Sequence, residues 1–550
     1  MYGRQKIEAL ITDILSNAYK KAAGEAPAFS VQIEVPKDVK FGDFSSNIAM
    51  QHAKKAGMPP RALAEEIVAN ADISGGYIEK IEIAGPGFIN LHLNDTWLYE
   101  EAALILSLAD GYGKMQPDKP KRINVEFVSA NPTGPLHIGN ARGGAVGDVL
   151  ANVYAWAGWQ CEKEFYLNDA GNQIVKFGQS LSARYMQLFD EGYPFPEDGY
   201  CGDDLKRIVS DYYDIFSDKL RTADEAARAA ELTDFGLKIN TDNMQNVLKE
   251  YGITYDTWFR ESDLHNSDAI EKTVAILKEN GATYESDGAL WFRATDYGCE
   301  KDEVLVRQNG IPTYYLADIA YHYNKLAVRK FDLAIDVWGA DHHGHVQRMK
   351  MGLKAAGIAP ERLQVVLMQL VHLVRGDEAV RMSKRKGEIV TLDELIGEVS
   401  VDAARFIFNS YAPSTHMDFD MDLAVRQSNE NPVFYVQYAY ARMCSILRGF
   451  TPERTQPDFS LLAEKQELAL LRKMADFSTE IALSAEELDP SRMTRYAYDL
   501  ASLFHSFYNA CRVKSDDESL ACARYHLLKA CSYVLKNTLA ILGVHAPEQM

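Results

Sequence analysis

Ile123-Asn124-Val125-Glu126-Phe127-Val128 runs directly into Ser129-Ala130-Asn131-Pro132-Thr133-Gly134-Pro135-Leu136-His137-Ile138-Gly139-Asn140, and this stretch decides the fold. The first six residues read as a strand, the Pro/Gly block as a loop, and the Ala/Gly/Val-rich segment to about residue 157 as a helix. A second strand is expected over 161–167. Strand, helix and strand within about 45 residues form the unit of a parallel α/β sheet. The same grammar resumes downstream. Residues 310–323 read as a strand or turn running into a helix, 333–338 as a strand, 346–356 as a helix and 363–373 as a strand. Between the two halves, residues 178–280 are rich in helix formers and acids, which suggests an insertion.

The flanks differ in pattern. Residues 1–112 read as a small α+β unit. Ile7, Leu10, Ile11, Ile14 and Leu15 recur at helical spacing, and residues 77–93 alternate around Gly85-Pro86-Gly87. Two prolines mark residues 114–120 as a linker into an α/β core expected over 121–392. From about residue 393 the pattern turns helical, and 393–430 is expected to be a stem-contact region. Residues 431–450, 464–488, 492–513 and 521–542 each show apolar spacing of three and four, so 431–550 is expected to be an all-α bundle.

Composition sets limits. The chain is 47% hydrophobic and 25% charged, a normal globular balance, and no apolar run approaches the roughly 20 residues of a membrane span. The N-terminus reads as a half-buried helix and not as a secretion signal, so a cytoplasmic location is expected. Cys161, Cys201, Cys299, Cys444, Cys511, Cys522 and Cys531 contain no C-x-x-C pair, which speaks against a disulfide framework or a four-cysteine zinc site. The net charge of −20 argues against a nucleic-acid partner, but from residue 431 to the end there are 13 Lys+Arg against 14 Asp+Glu. The acidity therefore sits upstream, and the tail is able to present a basic face.

Two motifs carry chemistry. His137-Ile138-Gly139-Asn140 lies between a strand and a helix, where unpaired backbone N–H groups and the helix dipole suit phosphate. Gly139 lets a nucleotide approach the backbone, and His137 is a donor to phosphate oxygens. Alone, the tetrapeptide is equally a turn with a satisfied histidine. Arg381-Met382-Ser383-Lys384-Arg385-Lys386-Gly387 follows the last strand. Alone it reads as a solvated basic loop. As chemistry, Lys384 would neutralise charge that grows as pyrophosphate leaves a triphosphate. His342-His343-Gly344-His345 imitates the first motif, but it lies only 38 residues before Ser383, too few to contain both sheet halves, whereas His137 lies 246 before it.

Together the motifs resemble the HIGH and KMSKS signatures of class I aminoacyl-tRNA synthetases. Val125 to Pro135, Tyr166-Leu167-Asn168-Asp169-Ala170-Gly171-Asn172-Gln173, Trp338-Gly339-Ala340-Asp341-His342-His343-Gly344 and Asn431-Pro432-Val433-Phe434-Tyr435-Val436-Gln437-Tyr438-Ala439 resemble the bacterial arginyl-tRNA synthetase family. That resemblance implies a Rossmann-like catalytic core and ATP-dependent activation of arginine, followed by its transfer to tRNA. It implies ATP contacts at His137, Gly139, Asn140, Gly339, Asp341, His345, Met382, Ser383 and Lys384, with His137, Asn140 and Lys384 serving catalysis. It implies arginine contacts at Glu126, Ser129, Asn131, Tyr314 and Asp318, residue types suited to a planar cation with five donors. Phe41-Gly42-Asp43-Phe44-Ser45 and Gly85-Pro86-Gly87-Phe88-Ile89-Asn90 resemble the family's N-terminal domain, associated with the tRNA elbow. The segment from Asp499 to Tyr508 resembles its anticodon-binding domain, with Tyr435, Tyr438, Arg442 and Tyr508 as tRNA contacts.

Two positions depart from the signatures, Asn140 for a histidine and Arg381 for a lysine. Either Asp341 or His342 takes the place of a glutamine found in some members. ATP with Mg²⁺ is expected as substrate, with no tightly bound cofactor or zinc, and the chain is expected to be a monomer. Two rivals remain at this stage. A nucleotidyl-transferring enzyme of the same fold would not need the helical tail, and a non-catalytic tRNA-binding relative would not need Met382-Ser383-Lys384.

Overall fold

The computed structural model describes residues 2–28, 30–376, 378–379 and 390–550, excepting the side chains of Val39, Glu378 and Ala379. The second signature, with Met382, Ser383 and Lys384, lies outside the described residues.

The central sheet has five strands: β1 (Arg122–Glu126), β2 (Gln160–Leu167), β3 (Thr257–Arg260), β4 (Leu333–Gly339) and β5 (Leu363–Met368). Their order is β5-β4-β1-β2-β3, with every neighbouring pair parallel. The order reverses between β1 and β4. That reversal leaves a crevice beyond the carboxyl ends of the two strands, the usual ligand site of doubly wound sheets. Helices α1 (Ile138–Trp156), α2 (Tyr314–Tyr323) and α3 (His343–Ala355) surround it. Ile123, Val125, Ala334 and Ile335 are fully buried, as expected for strands covered on both faces. At Gly147 a Cβ would lie 2.2 Å from the Phe127 Cγ, so only glycine lets α1 sit this close to the chain leaving β1.

The insertion is helical over Asn172–Gln187, Asp203–Phe216 and Glu225–Glu250, with its own apolar core around Phe177, Leu181, Tyr212 and Leu232. Its far part differs from the expectation. β3 returns to the central sheet, and Thr283–Ser286, Ala289–Phe292 and Glu303–Val306 form a small antiparallel sheet. Four-residue strands carry too little alternation to be read from sequence. The run at 363–373 is also two strands. After β5 the Gln369 N–H donates to the Pro413 carbonyl and the Gln369 carbonyl accepts from Arg142 (2.7 Å). The chain thereby moves to a second sheet, where Val371–Arg375 pairs in parallel with Met417–Asp420.

The N-terminal region packs helices on a four-stranded antiparallel sheet that includes the hairpin Ile78–Ala84 and Phe88–Leu93. The tail is helical over Pro432–Gly449, Lys465–Ala475, Phe477–Glu487, Ser491–Ala510 and Glu518–Leu542. The expected single helix at 464–488 is broken at Asp476. Among the described residues no helix is long and apolar enough to cross a membrane.

Arg405 joins three parts of the chain from full burial. It pairs with Asp148 of α1 and donates to the Leu542 carbonyl (3.1 Å) at the end of the last helix and to the Tyr251 carbonyl (3.3 Å) after the insertion. Burial pushes the Asp148 carboxyl up, but Arg405 and Lys163 together outweigh it and hold it below its ordinary value. Breaking such a pair leaves a buried charge uncompensated, a loss of about 3–5 kcal/mol. Arg405→Leu should therefore lower the urea midpoint measured by circular dichroism, and an unchanged midpoint would refute this role.

Candidate functional site

A cavity of about 640 Å³ opens at the switch point between β1 and β4. The start of α1 forms one wall. His137 stands before the helix with extended backbone, its Nδ1 accepts from the Gly139 N–H (3.1 Å), and the Asn140 Oδ1 accepts from the His137 N–H (3.0 Å). This is a reciprocal cap, so the signature departure at Asn140 does local structural work. Because Nδ1 accepts, the ring hydrogen belongs on Nε2. The expected row of open N–H groups is partly occupied. Ile138 donates to the Val390 carbonyl (3.3 Å), and Leu392 donates to the Leu136 carbonyl (2.8 Å). The chain leaving the second signature thus runs beside His137.

The opposite wall comes from α2 and α3. The Thr313 hydroxyl caps α2 by accepting from the Leu316 N–H. Asp318 then faces the cavity, where its Oδ2 accepts from the His345 Nε2 (2.9 Å). At the mouth, Asp341 and His342 both line the cavity, 3.7 Å apart and largely exposed. Gly339 also lines it, and a Cβ there would lie 2.4 Å from the Asp341 Oδ1, so the Asp341 side chain would have to turn away.

The floor is a buried charge network. Glu126 accepts from the Ser129 hydroxyl (2.9 Å), the Tyr321 hydroxyl (2.8 Å) and Lys325. Lys325, fully buried in a π-helical turn after α2, also reaches Asp336 (3.1 Å). Glu164 accepts from Asn124 (3.1 Å) and Arg329, and the Tyr321 hydroxyl, 2.6 Å away, shares its single hydrogen between Glu164 and Glu126. His322 places Nδ1 against the Asp318 carbonyl (2.8 Å) and Nε2 against Asp336 (2.6 Å). Both neighbours are acceptors, so both ring nitrogens donate and the ring is an imidazolium. Burial pushes His322 down, yet Asp336 outweighs it and the net shift is upward. Burial pushes Asp336 up, but Lys325 and His322 hold it at about 2. Burial raises the Glu126 carboxyl, opposed by Lys325.

The turn above this floor is strained. Val128 and Ser129 have φ of 69° and 35°, unusual for any side chain and most of all for a β-branched one. The strained turn directs the Ser129 hydroxyl to Glu126, where it also accepts from the Tyr166 N–H (3.0 Å).

Glu126, Ser129, His137, Gly139 and Asn140 therefore share one cavity with Asp318, Gly339, Asp341 and His345. Asn131 and Tyr314 lie outside its lining. Asn131 donates to the Gln173 side chain (2.6 Å). Tyr314 is exposed, and a Cβ on Gly171 would come within 3.0 Å of its hydroxyl. Gly171, at φ 82°, suits this left-handed backbone position. Sequence reasoning missed Tyr321, His322, Lys325, Glu164 and Asp336. A signal existed, since Asp318, His322 and Lys325 follow at helical spacing and Asp336 interrupts an apolar strand, where a charge needs partners. Among the described residues no group of three His, Cys, Asp or Glu side chains is placed to hold a metal ion.

On the helical tail, the four expected tRNA contacts gather on two helices. Arg442 donates to the Tyr508 hydroxyl (2.6 Å) and lies 4.8 Å from its ring centre. Tyr435 and Tyr438 flank His505 at 5.0 and 6.2 Å. Tyr438 and Tyr508 are exposed, so this cluster is a surface and not a bundle core.

Comparison with known proteins covers nearly all of the chain. Residues 103–420 match the family model for the class I (R) tRNA synthetase catalytic domain, 5–93 that for the arginyl tRNA synthetase N terminal domain, and 436–550 that for the DALR anticodon binding domain. The chain is 49% identical over 559 residues to the arginine–tRNA ligase of Acetivibrio thermocellus, covering 99% of each chain. It is 50% identical over 557 residues to that of Caldanaerobacter subterraneus subsp. tengcongensis, again covering 99% of each. Thermus thermophilus arginyl-tRNA synthetase shares the fold, with a TM-score of 0.78 at 23% identity over 98% of this chain and 100% of that one.

His322 supplies a pH test. Its value is raised in the folded state, so its contribution to stability is present below the ordinary imidazole range and lost as pH rises through the raised value. His322→Gln should lower the unfolding midpoint most near about pH 6, and its gap to wild type should narrow toward about pH 9. A gap that widens with pH would contradict the imidazolium assignment.

Proposed function

Because the chain belongs to the arginyl-tRNA synthetases of class I, ligases that activate arginine with ATP and load it on tRNA, we propose how its residues divide that work. The observation that carries the reading is one cavity with the α1 start on one wall and the Asp318 carboxylate on the other.

The arginine side chain enters toward Asp318 and Glu126. Lys325 already partners Glu126, so Asp318 is the main charge partner of the guanidinium and Glu126 a hydrogen-bond acceptor held by Ser129 and Tyr321. Asn131 and Tyr314 close the rim over the amino acid. ATP, carrying Mg²⁺, lies along the start of α1. His137 gives its Nε2 hydrogen to phosphate, Gly139 exchanges its contact with His137 for phosphate, and Asn140 keeps the helix start in place. Gly339 and Asp341 receive the nucleoside end. No zinc or tightly held cofactor takes part.

An arginine carboxylate oxygen attacks the α-phosphorus and the bond to pyrophosphate breaks. The terminal ribose 2′-hydroxyl of tRNA then attacks the adenylate carbonyl and AMP leaves, with activation itself requiring bound tRNA. These residues position groups and stabilise charge more than they exchange protons. Lys384, with Met382 and Ser383 beside it, meets the charge that grows on pyrophosphate.

Tyr435, Tyr438, Arg442 and Tyr508 receive bases of the anticodon loop, and residues 1–112 meet the tRNA elbow. The catalytic unit spans 121–392, the connection 393–430 and the anticodon-binding unit 431–550. The chain works as a cytoplasmic monomer.

Lys384→Ala tests the mechanism. Losing a group that acts only as charge develops should lower kcat of ATP–pyrophosphate exchange by about 10²–10³, with a smaller change in ATP affinity. Transfer from preformed arginyl-adenylate should be nearly unchanged. Weaker ATP binding with an unchanged rate at saturation would make the loop a ground-state clamp.

A further inference from the structure

Asp318 is held from both ends. Its backbone carbonyl accepts from His322, and its Oδ2 accepts from the His345 Nε2 (2.9 Å). On the far side of the His345 ring, Nδ1 faces the Arg348 Nη2 at 3.2 Å, and the Arg348 Nη1 donates to the Glu303 Oε1 (3.1 Å). A guanidinium only donates, so Nδ1 accepts and the single ring hydrogen sits on Nε2, aimed at Asp318. Trp338 at 5.5 Å and Tyr315 at 6.1 Å flank the ring. This chain of contacts leaves the Asp318 Oδ1 without a hydrogen-bond partner among the described residues, in a side chain that lines the cavity.

We propose that His345 and Arg348 are positioning residues that hold the Oδ2 of Asp318 and present its Oδ1 to the guanidinium of the substrate. His345 then serves the arginine side of the cavity, although the family resemblance placed it with the nucleotide. Arg348 acts at one remove, since it does not line the cavity. The relay gives Asp318 a defined orientation toward the donor. One oxygen is fixed in place and the other is offered in a constant direction, a geometry that a freely rotating carboxylate would not keep.

The inference rests on the reading that Asp318 meets the guanidinium, and the test separates the two. ATP–pyrophosphate exchange on the full chain, with tRNA present, gives KM for arginine and for ATP in Asp318→Asn, His345→Ala, His345→Gln and Arg348→Met. Circular dichroism checks that each variant folds. His345→Ala and Arg348→Met should each raise KM for arginine about tenfold, the worth of one charge-assisted hydrogen bond, with KM for ATP within about twofold. His345→Gln should recover most of the loss, because its amide still donates to Oδ2. A His345→Ala variant that raises KM for ATP and spares KM for arginine overturns the proposal and returns His345 to the nucleotide. If Asp318→Asn raises KM for arginine while Arg348→Met and His345→Ala do not, the relay alone fails. If Asp318→Asn leaves KM for arginine unchanged, the arginine reading fails and the relay with it. Arg348 is half exposed, so its variant stays informative should substitutions at His345 unfold the site.

Discussion

The ammonium of Lys325, buried between the carboxylates of Glu126 and Asp336, is the contact on which the rest of the site depends. Three strands of the sheet each carry a buried acid toward the switch point: Glu126 on β1, Glu164 on β2 and Asp336 on β4. Unpaired carboxylates there would be heavily penalised by desolvation. Lys325, Arg329 and His322 supply three cations, all from α2 and the turn that follows it. That balance fixes the distance from helix to sheet, and with it the position of Asp318 on the same helix.

The strained turn at Val128 and Ser129 belongs to the same economy of constraint. A relaxed backbone would carry the Ser129 hydroxyl away from Glu126 and Tyr166, and the loop to His137 would start in another direction. The long insertion helix holds that loop from outside, where Asn240 donates to the Pro132 carbonyl (2.9 Å). Arg405 ties the other end of the system, linking α1 to the last helix of the tail. The α1 wall of the cavity, the insertion and the helical tail are thus connected through α1.

Much of this was legible in the sequence because it is periodic. The strand, loop and helix from Ile123 to Trp156 and most of the tail helices follow from spacing, the two signatures point to the class, and the segments around Val125, Tyr166, Trp338 and Asn431 to the family. The four-residue strand β3 was not legible, nor was the break after Met368, because tertiary hydrogen bonds at Gln369 decide it and not local pattern. The family resemblance singled out Glu126 and Asp318, and both line one cavity. That Glu126 is already paired was not legible, since Lys325 lies 199 residues away in the chain. Asn140 looked like a weakened signature, and the structure gives it a capping role that only geometry reveals.

The central claim is that the cavity reads its amino acid as a planar cation through fixed carboxylate oxygens. The most direct measurement compares kcat/KM for L-arginine and L-citrulline, which replaces the guanidinium with a neutral group of similar shape, in tRNA-dependent ATP–pyrophosphate exchange. Sites built around buried polar partners reject a mismatched analogue by about 10⁴–10⁵. The account expects discrimination in that range, and citrulline activated within about tenfold of arginine would show that charge is not what the pocket reads.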